Sequence, residues 1–74
     1  MDTDALVTEA LSAVSGSSTA GELDDARVRY LGRKSELKQA LREVRDRESG
    51  MALNAARARI EAAVADRRGE LERA

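Results

Sequence analysis

Apolar residues recur along this chain at helical spacing, in three runs separated by short polar stretches. In the first run, Asp4 to Val14, the residues Leu6, Ala10, Ala13 and Val14 fall on one side of a helix, with Thr3 placed to cap its start and acids in the first turn. "SGSSTAG" follows, with residues 15–19 reading as a flexible linker; Thr19 with Glu22 has capping-box spacing, so a second helix is expected from Ala20. In the second run Leu23, Tyr30, Leu37 and Val44 recur every seven residues, with Ala26 and Leu41 on the same side. Gly32 lies in the middle of that run. Because the phase is the same on both sides of it, the pattern predicts a single helix over 20–47 that crosses Gly32, at a cost of about 1 kcal/mol relative to Ala.

Glu48 to Gly50 then reads as the chain reversal, with basic residues just before it and Gly50 suited to a left-handed position after a helix end. Leu53, Ala56, Ile60, Val64 and Leu71 mark the inner face of a third helix over 51–73, which so short a turn holds antiparallel to the second. The expected fold is therefore all-α: a short N-terminal helix at the open end of a long antiparallel two-helix coiled-coil hairpin, forming one helical domain over 1–74. The heptad character persists to Ala74 without a cap, so a longer parent chain is expected.

Composition narrows the chemistry. With 74 residues the chain is near the size at which a single apolar core barely offsets chain entropy, and a large enclosed pocket is not expected. The absence of His and Cys removes the usual zinc and thiol chemistry and any disulfide framework. The acidic N-terminus is unlike a signal peptide and no apolar run reaches membrane-spanning length, so a soluble cytoplasmic protein is expected, with no membrane partner. Carboxylates are plentiful, but none has the partners of a recognisable catalytic arrangement, so no catalytic residue and no metal site are expected within the chain.

The net charge of -1 hides an uneven distribution. Residues 1–26 carry six acids and no Lys or Arg, residues 27–47 carry eight basic residues against three acids, and residues 48–74 carry five of each. On a continuous second helix Arg27, Lys34, Lys38 and Arg45 lie within about 40° of one another, a single stripe beside the apolar seam. Such a stripe can merely solubilise a coiled coil and pair with Glu61, Asp66 or Glu70 across it. It can also follow a nucleic-acid backbone as a row of phosphate contacts. A chain with one aromatic residue lacks stacking platforms for single strands, which favours folded RNA met by shape and charge. Tyr30 lies in phase with the Leu seam and reads as core; Asn54, near the start of the third helix, reads as a group that satisfies backbone there.

"RVRYLGRKSELKQALREV" (Arg27 to Val44) followed by "GMALNAARARIEAAVADRRGEL" (Gly50 to Leu71) resembles the N-terminal coiled-coil domain of the α subunit of bacterial phenylalanyl-tRNA synthetase. The likeness rests on Tyr30-Leu31-Gly32-Arg33-Lys34 and on Gly50 with Leu53-Asn54, and the short first helix extends it over nearly the whole chain. Ser35 stands where that family often has Gly, and the span from Lys34 to Asn54 is shorter, without the Pro-containing segment at the hairpin tip. The resemblance implies an arm of a class II phenylalanine-tRNA ligase that contacts the tRNA body, within an α2β2 parent that uses ATP and magnesium. Its partners would be tRNA, the rest of the α subunit and a β subunit, and Arg27, Lys34, Lys38 and Arg45 would be the tRNA-binding residues. The alternative from another class is a stand-alone coiled-coil module for protein interaction or dimerisation, which accounts for the heptads alone.

Overall fold

The computed structural model describes residues 3–73 and contains four helices: α1 (Thr3–Ser15), α2 (Ala20–Leu31), α3 (Glu36–Glu43) and α4 (Arg47–Arg73). The fold is all-α, as expected, and no strand occurs among the described residues. Ala74, where the sequence offers no cap, lies outside them.

The helix expected across Gly32 is broken there. α2 ends at Leu31; Gly32 still donates its N–H to the Val28 carbonyl at 2.9 Å, but its ψ of 173° sends the chain out of the helix. A Cβ at Gly32 would stand 2.3 Å from the Val28 oxygen, so the turn is built for a residue without one. The chain restarts as a helix because Ser35 caps it: its Oγ accepts the Lys38 backbone N–H at 3.2 Å, and Glu36 lies in the first turn of α3. The seven-residue phase survives the break because the turn returns Leu37 to the same buried side as Leu23 and Tyr30.

The reversal also falls earlier than expected, at 44–46 and not at 48–50, and Arg47 opens α4 where it was expected to close the second helix. Asp46 caps α4, its carboxylate accepting the Ser49 N–H at 3.0 Å. Gly50 lies inside the first turns of α4 and no described glycine has a positive φ, so it is not a left-handed stop.

Leu6, Val7, Ala10 and Val14 of α1, Leu23, Ala26 and Tyr30 of α2, Leu37 of α3, and Leu53, Ala56, Ile60 and Val64 of α4 form one buried cluster. α2 and α3 together run antiparallel to α4, forming the hairpin. α1 does not merely close its open end. Thr3, Asp4 and Val7 share a hollow with Ala52, Ala56 and Arg59, while the segment after α1 meets α4 at Arg67, so α1 lies along α4 for more than half its length. The result is a rod of 43 × 18 × 16 Å, its long dimension set by α4, whose 27 residues span about 40 Å.

Candidate nucleic-acid interface

Arginines at the far end of α4 tie it to the α1–α2 linker and to α2. Arg67 donates from Nε and Nη2 to the Ser17 carbonyl at 2.9 and 2.8 Å, tying the α1–α2 linker to α4. Arg68 pairs with Asp24 of α2. Tyr30 is buried, as its phase predicts, and its hydroxyl donates to Glu9 at 3.0 Å; burial first and that bond second raise its pKa above the ordinary 10.0. The Arg29 guanidinium lies 5.4 Å from the ring centroid and 3.7 Å from Glu9, so the ring is no free platform for a base.

The cations of residues 27–47 are different. Apart from Arg29, none of them, namely Arg27, Arg33, Lys34, Lys38, Arg42, Arg45 and Arg47, makes an ion pair within 4.0 Å among the described residues. The pairing across the hairpin that a merely solubilising stripe would use is absent among the described residues: Glu61 meets Arg57 at 3.4 Å and Glu70 meets Arg67 at 3.6 Å, both within α4. Asp46 is engaged by the α4 cap, and the hydrogen bonds from the Ser49 backbone and side chain hold its carboxyl below the usual range.

Because the helix breaks at Gly32, the expected stripe does not form as one row. α3 sorts its residues by flank. Leu37, Leu41 and Val44 turn inward, while Glu36, Gln39, Ala40 and Glu43 share a groove with Ala5, Leu6 and Glu9 of α1. Lys38 and Arg42, about 40° apart, occupy the opposite flank, away from α1. Arg27 lies on the same side of the hairpin, within about 60° of Asp24, whose carboxylate reaches α4. Lys34, in the turn, instead lines a hollow with Leu6, Glu9, Arg29 and Glu36, on the α1 side. Arg45 lies in the 44–46 connection, beside Asp46 and near Thr3. The structure thus brings Arg27 and Lys38 together with Arg42, which lay just outside the expected stripe, and separates Lys34 from them. Arg57 joins that flank from α4, about 20° round the helix from Arg68.

Asn54 is exposed and its side chain makes no hydrogen bond among the described residues; Asp46 does the capping expected of it. Among the described residues no group of three or more His, Cys, Asp or Glu is placed to hold a metal ion, and no helix is long and apolar enough to cross a membrane.

The model of the class II aminoacyl-tRNA synthetase N-terminal domain matches residues 18–74. The chain belongs to this family. The match begins just before the Thr19 cap and takes in α2, α3 and α4, so that the flank carrying Arg27, Lys38 and Arg42 lies wholly within the synthetase domain while α1 lies outside it. No curated protein and no solved structure matches the chain.

Proposed function

We propose that this chain is the N-terminal helical arm of the α subunit of a phenylalanine-tRNA ligase and that it contacts the tRNA body by shape and charge. Membership of the synthetase family supports a parent ligase, and the Tyr30-Leu31-Gly32 element with Gly50 and Asn54 supports the phenylalanine enzyme. The observation that carries the RNA contact is the set of unneutralised cations on one flank, Arg27, Lys38 and Arg42; Arg45 and Arg47, at the tip, are likewise without an ion pair among the described residues, although Arg45 lies towards Thr3 of α1. Cations without intramolecular partners on a rigid rod give up no internal pair when they meet phosphates. Lys34 contributes less, because Glu9 and Glu36 share its hollow. The parent would be a cytoplasmic α2β2 enzyme in which ATP and magnesium serve a catalytic module elsewhere in the protein.

Replacement of Arg27, Lys38, Arg42 and Arg45 by Gln in the parent enzyme tests this. The expected result is weaker tRNA binding, similar for different tRNA sequences, with the slope of log K against log salt reduced by about 0.9 for each phosphate that the protein no longer neutralises. Amino-acid activation without tRNA is unaffected, and Lys34→Gln alone has a small effect. Unchanged tRNA affinity in the quadruple variant refutes the contact, and attachment of an amino acid other than phenylalanine by the parent refutes the substrate assignment.

A further inference from the structure

The face of α4 turned away from the core is unusual for so charged a chain. Met51, Ala55, Ala58, Ala62, Ala65 and Gly69 follow one another at alternating spacings of four and three, so they form a second heptad seam opposite the buried one. The first five are exposed, and no charge interrupts the seam from Met51 to Gly69 although charged residues make up 36% of the chain. Alanine also favours a helix for intrinsic reasons, and Ala52, Ala56 and Ala63 of α4 lie off this line, so what marks the seam is its freedom from charge and not the residue type. The positions flanking the seam are Arg59, Asp66 and Arg73 on one side and Asn54, Glu61 and Arg68 on the other. Arg59 and Asp66 have no ion-pair partner among the described residues.

We propose that this seam is a self-association surface through which two copies of the chain pair antiparallel along α4, with Ala62 of each opposite Ala65 of the other. The flanking charges select both the occupant and the register. In an antiparallel pair like flanks face each other. With Ala62 opposite Ala65, Arg59 meets the second copy's Asp66, twice by symmetry, and neither has an ion-pair partner within its own chain among the described residues; Glu61 comes opposite the second copy's Arg68, an attractive juxtaposition that adds less because each is already engaged in its own chain, by Arg57 and Asp24. One heptad earlier, with Ala62 opposite Ala58, Arg59 meets Arg59 and Glu61 meets Glu61. One heptad later, Asp66 meets Asp66 and Arg68 meets Arg68. A parallel in-register pair places Glu61 against Asp66 and Arg68 against Arg73, both repulsive. The charge pattern therefore singles out one arrangement of a second copy. The alanines in that seam let the two helix axes approach to about 8 Å, at the close end of helix packing, while at Gly69 the Arg73 guanidinium of the same helix covers the face. The apolar area is small, so the association is weak and reversible.

Sedimentation equilibrium of the 74-residue chain from about 10 µM to about 1 mM tests the surface directly. A concentration-dependent dimer is expected. Asp66→Arg turns both Arg59 contacts repulsive and weakens the dimer roughly tenfold. Combining it with Arg59→Asp exchanges the charges and restores association, which no general change in solubility reproduces. Ala62→Glu abolishes the dimer while helicity and melting temperature stay unchanged, because the side chain is exposed in the single chain. A chain that remains monomeric throughout overturns the proposal, as does a dimer that Asp66→Arg leaves intact or that the charge exchange fails to restore. A monomer whose Ala62→Glu variant loses tRNA affinity in the parent enzyme overturns it in favour of an RNA-facing role for α4.

Discussion

Gly32→Ala separates a broken helix from a continuous one by the sign of its effect. In an unbroken helix the substitution would stabilise by about 1 kcal/mol, raising the melting temperature of a domain this size by about 4–8 °C. In the structure the new Cβ would stand 2.3 Å from the Val28 carbonyl oxygen and 3.2 Å from its carbon, against about 3.4 Å for ordinary contact. The obstacle is backbone, so relief requires moving the end of α2 or opening the turn. Moving it stretches the 2.9 Å bond from the Gly32 N–H to Val28, and opening the turn disturbs the 3.1 Å bond from the Ser35 N–H to the Gly32 carbonyl. Overpacking of this kind costs about 1–3 kcal/mol, offset by about 0.4–1 kcal/mol from the stiffer unfolded chain, leaving a net effect between about zero and a loss of about 2.6 kcal/mol, against the gain of about 1 kcal/mol in an unbroken helix. Thermal melts followed by far-ultraviolet circular dichroism read the sign. Gly21→Ala is the control: its Cβ would meet only Thr19 Oγ1 at 3.9 Å near the start of α2, so it should stabilise by about 0.5–1 kcal/mol. If Gly32→Ala raises the melting temperature as Gly21→Ala does, α2 and α3 are one helix and the flank assignment of Lys38 and Arg42 falls with the break.

Leu37 is fully buried where α3 meets α4, and Leu37→Ala should cost about 2–4 kcal/mol in a urea titration; an unchanged midpoint would mean that α3 presents another face. Tyr30 has a raised pKa in the folded chain, so its contribution is fully present below pH 10.0 and is lost as pH rises through the folded value. Tyr30→Phe should therefore flatten the alkaline fall in melting temperature while losing about 0.5–1.5 kcal/mol at neutral pH, and an alkaline fall as steep as in the parent chain would assign the titration elsewhere. Arg67→Met keeps the length of the stem but removes both bonds to the Ser17 carbonyl, so amide exchange across residues 16–19 should accelerate more than at Ile60; equal protection before and after would show that the linker is held by other contacts.

The core was legible in the sequence because burial follows period. Spacing places Leu23, Tyr30, Leu37, Leu53, Ala56, Ile60 and Val64 inward, and all are buried; Val44 and Leu71, placed inward by the same spacing, are only half-buried. The same signal concealed the break. A heptad records which side faces the partner helix, and the turn at 32–35 returns Leu37 to that side, so the phase carries no information on whether the hydrogen-bond ladder is continuous. The local signals were Ser35 before Glu36 and Asp46 three residues before Ser49, both capable of starting a helix and both hidden inside a run read by its apolar residues alone. The position of α1 depends on contacts such as Arg67 with Ser17, 50 residues apart, which no local pattern reports. The charged stripe failed in part for the reason the helix did. Angles counted through Gly32 placed Lys34 with Lys38, whereas the turn carries Lys34 to the α1 side.

How the two ends of the rod are stabilised bears on what each can do. At the Ser17 end, Arg67 and Arg68 hold the linker and α2, so these guanidiniums are engaged within the fold. Towards the tip, order comes from neutral or acidic caps: the Ser35 hydroxyl at the start of α3 and the Asp46 carboxylate at the start of α4. A cap satisfies backbone N–H groups without recruiting a cation. α3, only 8 residues long, therefore turns its glutamates towards α1 and leaves Lys38 and Arg42 on the outer flank with no carboxylate among the described residues to neutralise them. A helix unbroken from 20 to 47 would have placed Lys34 on that flank too, but would have had no Ser35 cap from which to start α3 independently. The break thus sets which cations face outward, and the position of a single glycine, through the turn it permits, determines the charge presented along the outer side of the rod.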